Sequence, residues 1–315
     1  MAADISIEDL LGDVPGSTGY RFAATDSAGH RMDTVKIIPN PSGGYLSVFH
    51  TGDEVHVATS TDVLNWEYRC TLDGHATQPT ICSLPTGGFL TAVEYNNQRG
   101  SGGRLRLRHY PSLDALLTGA FDRERTPRRK LSRCHEGTPT ILSVSLDPDI
   151  DHSVIEVGLH YHRNCDVDRQ ARGTLTDFAN FVAAPDPAVD ELLNVAAAAQ
   201  GQVINGNIGD RDTAEFDGVS YTLYEVQYVK GDFGTWRVYL RNVQAGVTDY
   251  LPIVTPGAST AFANPTITSI TSPSGKPAMV ATLFLPSEGA AAGEGGPLIY
   301  YREYAAVPDP GLRPA

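Results

Sequence analysis

One short motif recurs along this chain and limits the folds that it can adopt. A polar residue followed by Pro-Thr-Ile occurs at Gln78, Thr138 and Asn264, and each copy opens a run of β-branched residues. A related opening, Asp33-Thr34-Val35, stands nearer the start of the chain. Similar openings at intervals of several dozen residues, each leading into short strands, are typical of the blades of a β-propeller.

The segments between these openings divide into short runs rich in β-branched and aromatic residues, separated by turn formers, as strands are. A further repeat begins near Asn205 without the Pro-Thr-Ile opening. It is identified by its two strand-like runs, VSYTLYEVQY and WRVYLRNV. A strand around Tyr20 precedes the first repeat and is expected to complete the last blade, which closes the ring. The sequence therefore predicts an all-β fold, with one five-bladed β-propeller domain over residues 1–315.

Two segments fall outside the blade pattern. Residues 1–15 are predicted to form a peripheral, acidic N-terminal segment. Residues 186–200 are predicted to form an inserted helix, because Asp186 suits an N-cap, Pro187 suits the first helical position and Gly201 follows the alanines.

The net charge of −13 argues against a general affinity for phosphate backbones, so no nucleic-acid partner is expected. The chain contains no apolar run of the roughly 18 residues that a membrane span needs, so no membrane partner is expected either. One dense basic run, RERTPRRKLSR over residues 123–133, is interpreted as a solvated linker because it mixes charges around a proline.

The N-terminus lacks the basic start and long apolar run of a secretory signal, which fits a cytoplasmic protein or a secreted one whose signal has been removed. Cys70, Cys82, Cys134 and Cys165 follow no CxxC metal-ligand spacing. A Cys70–Cys82 disulfide fits a secreted protein, whereas free buried thiols are the favoured interpretation for all four.

The blade openings of a propeller gather at one mouth of its central channel, so polar residues at these openings are expected to share one site. These residues are His30, Asp33, His75, Gln78, His135, Glu136, Asp210, Arg211, Asp212 and Asn264. A second set interrupts the apolar second strands near their ends, and it comprises His50, Glu94, His160 and Glu225. Together the two sets predict a polar pocket on the axis.

Several carboxylates and imidazoles in one pocket suit cleavage of a glycosidic bond. A protonated carboxylic acid donates to the leaving oxygen while a carboxylate activates water. Groups that come from different blades lie across a channel, which favours the wider separation of the inverting mechanism.

The repeat pattern resembles the five-bladed propeller glycoside hydrolases that include arabinanases, xylosidases and fructosidases. The similarity rests on the blade-opening Asp33, the Ser-x-Asp-x-x-x-Trp turn at Ser60–Trp66 and the Glu-Gly-x-Pro opening at Glu136–Pro139. The resemblance implies that Asp33 is the general base, that Glu136 is the general acid and that Asp210 or Asp212 tunes the pKa of the acid. The remaining polar residues of the two sets would then bind substrate.

The chain departs from that family at two openings. The usual Asp-Pro pair of blade one is Asp33-Thr34 here, and the acidic opening Gly209–Asp212 has no counterpart in the family pattern. Arg211 could therefore bind a substrate carboxylate or hydroxyls. Asp33, Glu136 or Asp212 could equally fasten a loop by accepting backbone hydrogen bonds.

Other functions remain open on the same scaffold. A lyase, epimerase or cyclase would use the histidines as bases, and a lectin-like propeller would bind sugar without cleaving it. No cofactor is expected to be required, although a structural metal ion in the central channel, or one held by His30, His75 and His135, is compatible with the sequence.

Overall fold

A computed structural model describes residues 5–96 and 102–305, and within them five four-stranded antiparallel sheets form five blades. The first four residues of the predicted N-terminal segment lie outside the described residues. Blade one contains β2 (Asp33–Pro39), β3 (Tyr45–Thr51), β4 (Glu54–Ser60) and β5 (Glu67–Gly74). Blade two contains β6 (Ala76–Ser83), β7 (Phe89–Tyr95), β8 (Arg104–Tyr110) and β9 (Arg123–Arg125). Blade three contains β10 (Glu136–Leu146), β11 (Ser153–Arg163), β12 (Val167–Thr176) and β13 (Asn180–Pro185).

Blade four contains β14 (Ile208–Phe216), β15 (Val219–Gln227), β16 (Trp236–Asn242) and β17 (Val247–Tyr250). Blade five contains β18 (Ala263–Thr271), β19 (Pro277–Leu285), β20 (Gly296–Glu303) and, from the other end of the chain, β1 (Gly19–Phe22). Tyr20 of β1 pairs with Tyr300 of β20, so an early strand completes the last blade. The innermost strands β2, β6, β10, β14 and β18 contact one another in a closed ring. The predicted five-bladed propeller is confirmed.

The blade openings share a backbone irregularity. Thr34, Gln78, Thr138 and Asn264 have φ between 46° and 50°, and the pairing with the second strand slips at each of them. Left-handed backbone is costly for residues with a Cβ, and most of all for a β-branched threonine. The repeated opening motif therefore encodes a bulge that sets how each inner strand enters the channel.

Apolar clusters fill the wedges between neighbouring blades, which is where the core lies. Helix α1 (Ile7–Gly12) adds Ile7, Leu10 and Leu11 to the cluster between blades four and five. Helix α2 (Leu113–Leu117) packs on blade two. Helix α3 (Pro187–Ala199) lies where the helix was predicted, and its Leu193 packs into blade four. Among the described residues, no helix is long and apolar enough to span a membrane.

The favoured interpretation of four free thiols is correct for Cys70 and Cys82 and wrong for the other two cysteines. Cys134 and Cys165 form a disulfide, which ties the segment before β10 to the hairpin between β11 and β12. Cys70 and Cys82 are free thiols, so the alternative Cys70–Cys82 bridge is wrong. The basic run is also more ordered than a linker, because its first three residues form β9 at the outer edge of blade two.

Candidate active site

A cavity of about 290 Å³, the central pocket, lies where the inner strands begin. Side chains from all five blades line it. Those predicted from sequence are Asp33, Gln78, His160, Asp210, Glu225 and Asn264. The structure thus brings together, on one axis, residues that lie more than 200 positions apart in the sequence.

Asp33 is held as a hydrogen-bond acceptor at the edge of this pocket. Its Oδ1 accepts from the Thr34 backbone N–H at 2.8 Å and from Nδ2 of Asn264 at 2.9 Å. Its Oδ2 lies 3.8 Å from Nε2 of His50, and the side chain remains 24% exposed. One carboxylate oxygen is therefore fixed by the protein, while the carboxyl group as a whole stays reachable from the cavity.

Asp210 and Glu225 form a pair of carboxyl groups that is more deeply buried than Asp33. The Asp210 backbone N–H donates to Oε1 of Glu225 at 3.1 Å, and the Asn264 N–H donates to Oε2. Burial, together with the adjacent Glu225, raises the pKa of Asp210 well above its ordinary value. Burial likewise raises the pKa of Glu225 to about 7, against the opposing effect of its two backbone donors.

The blade-three side of the pocket carries an imidazole and a carboxylate. His160 is buried, and burial lowers its pKa, so the ring is neutral near pH 7. Its Nε2 lies 2.7 Å from Oγ1 of Thr138, while its Nδ1 is buried without a hydrogen-bond partner among the described residues. Burial opposes ionisation of Asp168, but His160 and His162 outweigh it and hold the pKa of Asp168 at about 2.

The second-strand residues fasten neighbouring blades. His50 Nδ1 accepts from the Gln78 N–H at 3.3 Å, and Glu94 Oε2 accepts from the Thr138 N–H at 3.2 Å. Glu225 does the same for Asn264. Each of these acceptors belongs to one blade and each donor is the left-handed opening residue of the next, so the bonds stabilise the bulges that shape the pocket.

Two predicted mouth histidines lie elsewhere, and the prediction that they share the pocket is wrong. His30 Nδ1 contacts Asp26 at 2.9 Å within its own turn, and its ring stacks on His56 of β4. His75 Nδ1 contacts Asp53 at 3.1 Å, and its side chain is 44% exposed. His30 stands four residues ahead of Thr34 and His75 three ahead of Gln78, and a nearby carboxylate holds each ring outside the pocket.

Glu136 is buried outside the pocket, contrary to its predicted place at the mouth. Its Oε1 accepts from the backbone N–H groups of Lys130, Leu131 and Ser132. The exposed fraction of the residue is 2%. The arrangement is that of a carboxylate fastening a loop, because all three donors belong to the segment just before β10.

Arg211 and Asp212 also lie off the pocket. The Arg211 guanidinium donates to the Ala171 carbonyl and occupies space that a Cβ on Gly158 would fill. Asp212 lies deeper in the channel, where its Oδ2 is 2.5 Å from Nζ of Lys36 and also accepts from the Ile267 N–H. Neither side chain is placed to touch a ligand in the central pocket.

One group of side chains among the described residues has the spacing of metal ligands. One ligand atom each from Glu94, His135 and His160 lies within 4.8 Å of the others. His135 Nδ1 accepts from the Gly103 N–H at 3.0 Å, so Nε2 carries the ring proton and donates to Glu94 at 3.1 Å. Metal-binding histidines have the opposite arrangement, with the second ring nitrogen donating, so this group does not fit a metal ion.

Asp212, deeper in the channel, has a cationic side chain as its partner. Lys36 places an ammonium group beside Asp212 and donates to the Ile267 carbonyl at 2.8 Å. Lys36 therefore balances the negative charge of the Asp212 carboxylate in the channel.

Several pocket residues were missed from the sequence. Asp168 is the second residue of β12, and the strand VDRQARGTLT contains several other polar residues, so its local sequence does not set Asp168 apart. Phe233, Trp236 and Phe284 supply an apolar wall. Nothing in their local sequence separates them from ordinary core aromatics.

Comparison with known proteins gives a fold but no sequence relative. No family model matches the chain, and no curated protein matches it by sequence. A solved structure described as a glycoside hydrolase matches 97% of this chain and 97% of its own at 11% identity, with a TM-score of 0.58. A thermostable family-43 glycoside hydrolase matches 90% of this chain and 96% of its own at 11% identity, with a TM-score of 0.56.

The α-L-arabinanase of Penicillium chrysogenum, complexed with arabinobiose, matches 92% of this chain and 99% of its own at 13% identity, with a TM-score of 0.51. At such low identity these matches establish the fold and leave the activity open. The chain has the five-bladed propeller fold of these glycoside hydrolases, as the resemblance in sequence pattern predicted.

Proposed function

We propose that this protein is a glycoside hydrolase that cleaves a glycosidic bond in the central pocket by an inverting mechanism. One observation carries the proposal: two carboxyl groups in different environments, Asp33 and Asp210, line the same cavity. Pairs of carboxyl groups whose surroundings separate their pKa values are what acid–base cleavage of glycosides requires.

Asp33 is proposed as the general base. Asn264 and the Thr34 N–H orient its Oδ1, which leaves Oδ2 to take a proton from the attacking water. That water adds to the anomeric carbon on the face opposite the leaving group.

Asp210 is proposed as the general acid, in place of Glu136. Because burial and the adjacent Glu225 raise the pKa of Asp210, its carboxyl group keeps a proton that it can donate to the leaving oxygen as the glycosidic bond breaks. Glu225 acts as a positioning residue, since it fixes the backbone of Asp210 and supplies the neighbouring charge.

The positions of the two blades support the inverting route. Blades one and four are not adjacent in the ring, so Asp33 and Asp210 approach the substrate from separate sectors of the pocket. This arrangement suits a water molecule between base and sugar. A carbohydrate substrate also suits the mixture of amide side chains and aromatic wall, and one neighbouring structure contains arabinobiose.

The direct test is a screen of aryl glycosides and natural glycans, with reducing ends and product anomers measured by NMR. We expect release of one sugar product whose anomeric configuration is the opposite of that in the substrate. Absence of cleavage across the screen would overturn the hydrolase proposal, and a retained configuration would overturn its mechanism.

A non-hydrolytic reaction is the second candidate, and His160 is the observation that favours it. A neutral imidazole with a buried, unpartnered Nδ1 is suited to removing a proton from carbon in a lyase or epimerase. A lyase product would absorb in the ultraviolet as a conjugated double bond forms, which hydrolysis would not produce.

A further inference from the structure

A strongly basic concavity of about 550 Å³ lies between the start of β8 and the loop that precedes β10. Five cationic side chains line it, namely Arg104, Arg128, Arg129, Lys130 and Arg133, and no acidic residue does. In a chain whose net charge is −13, such a cluster of like charges repels itself, and an anion bound there would relieve that repulsion.

Four of these cations have no carboxylate partner in the part of the chain that the structure describes. None of the ion pairs there includes Arg104, Arg128, Lys130 or Arg133. By contrast, two other arginines of blade two are paired, because Arg106 and Arg108 both contact Asp73. In addition, Nε of Arg104 is buried and has no hydrogen-bond partner among the described residues.

The backbone of the basic concavity is fixed. Glu136 accepts three hydrogen bonds from Lys130 to Ser132, and Nη1 of Arg129 donates to the Cys134 carbonyl at 3.0 Å. Cys134 directly follows the last residue of the basic concavity, and its disulfide with Cys165 anchors it to blade three. A fixed backbone lowers the entropic cost of binding a ligand there.

The basic concavity opens at the same end of the propeller as the central pocket. Arg104 pairs with Tyr95, and Tyr95 pairs with Ala76 at the start of the inner strand of blade two. The loop of residues 128–133 leads directly into β10, whose Thr138 lines the pocket. A glycan chain that extends from the pocket toward blades two and three would therefore pass the basic concavity.

We propose that the basic concavity binds an anionic substituent, a carboxylate or sulfate, on the glycan that enters the central pocket. The inference rests on the proposed function, because it specifies the substrate class of the same enzyme. Arginine forks bind planar or tetrahedral oxyanions through paired hydrogen bonds. A nucleic acid is disfavoured because the charge is confined to one concavity in an otherwise acidic chain.

The test compares two charge-matched double variants in the full chain, each in an Asp33→Asn background so that substrate is not consumed. Arg128→Gln/Lys130→Gln removes two exposed cations from the basic concavity. Arg69→Gln/Lys276→Gln removes an exposed arginine and lysine from blades one and five. Binding of polygalacturonate, a sulfated galactan, neutral arabinan and single-stranded DNA is measured by calorimetry at low ionic strength.

We expect the Asp33→Asn protein to bind one anionic glycan at least about tenfold more tightly than neutral arabinan. Removing two cations should then weaken that binding by about tenfold, while the control variant stays within about twofold. The anionic polymer that binds more tightly identifies the substituent as carboxylate or sulfate.

Equal affinity for anionic and neutral glycans, or equal losses in the two double variants, would overturn the inference. DNA binding as tight as that of the glycans, and lost with the same variant, would also overturn it. If the protein with Asp33 intact binds the anionic glycan but releases no reducing ends, the hydrolase proposal fails and the binding site stands.

Discussion

The backbone N–H of Asp210 lies 3.1 Å from Oε1 of Glu225, so two buried carboxyl groups are held beside one another in the central pocket. Two backbone N–H groups donate to Glu225 and oppose the rise in its pKa. The pKa of Asp210 is raised well above its ordinary value by burial and by Glu225. This asymmetry is what assigns the acid role to Asp210 in the proposed reaction.

Replacing Glu225 by Gln should shift the basic limb of the pH–rate profile. Glu225 adds to the effect of burial on the pKa of Asp210, so removing its charge lowers that pKa. Asp210 would then lose its catalytic proton at a lower pH, and the basic limb of kcat/KM should move to lower pH. Glu294→Gln is the matched control, since Glu294 is also buried and accepts a backbone N–H but does not line the central pocket. An unmoved basic limb in Glu225→Gln would contradict the coupling.

The same substitution should change how stability depends on pH. The folded-state pKa of Glu225 is about 7, above the ordinary value of 4.5, so the unfolded chain releases this proton first as the pH rises. Folding stability is therefore lost between those two values, by up to about 3 kcal/mol. Glu225→Gln should gain stability relative to the wild type as the pH rises from about 5 to about 8. Parallel curves of unfolding free energy against pH, measured with denaturant, would count against the raised pKa.

Glu136→Gln should lower the stability of the protein and leave its catalytic rate nearly unchanged. Its carboxylate accepts three backbone hydrogen bonds, and replacing the charged acceptor by an amide should cost about 1.5–3 kcal/mol of unfolding free energy. Because Glu136 is outside the pocket, kcat should stay within a few-fold of the wild type under conditions where the protein is folded. Loss of activity by orders of magnitude with an unchanged denaturation midpoint would restore its role as the acid.

Removing the disulfide should destabilise the protein far more than removing either free thiol. Cys134 and Cys165 are 31 positions apart, and a cross-link of that span restricts the unfolded chain by about 3–4 kcal/mol. Cys134→Ser/Cys165→Ser should lose about that much unfolding free energy, and Cys70→Ala serves as the control. Alkylation without reductant should label two cysteines in the unfolded wild type. Labelling of all four would contradict the bridge.

The fold could be predicted because the sequence pattern of a blade is repeated along the chain. Each opening places β-branched residues after a bulge, and the strand around Tyr20 had one natural partner, the exposed edge of β20. The β14 blade could be placed without the motif, since its strands alone carried the pattern.

The site was predicted less completely, because register and loop direction decide which way a side chain points. The bulge at each opening shifts the alternation of side chains, so Glu136 turns into a loop while Thr138 faces the pocket. The His30 ring contacts Asp26 within its own turn, so this local contact rather than the repeat determines where the ring points. Disulfide pairing likewise depends on which hairpin tip lies near Cys134, and spacing along the chain does not encode that.

The central claim is that Asp210 gives a proton to the leaving group and Asp33 activates water. It is tested most directly by kcat/KM for aryl glycosides whose phenol leaving groups span a range of acidity. Asp210→Asn should lose about 10²- to 10⁴-fold on poor leaving groups and little on dinitrophenyl glycosides, which need no protonation, whereas Asp33→Asn should lose activity on both. Equal losses on all leaving groups in Asp210→Asn would contradict the account.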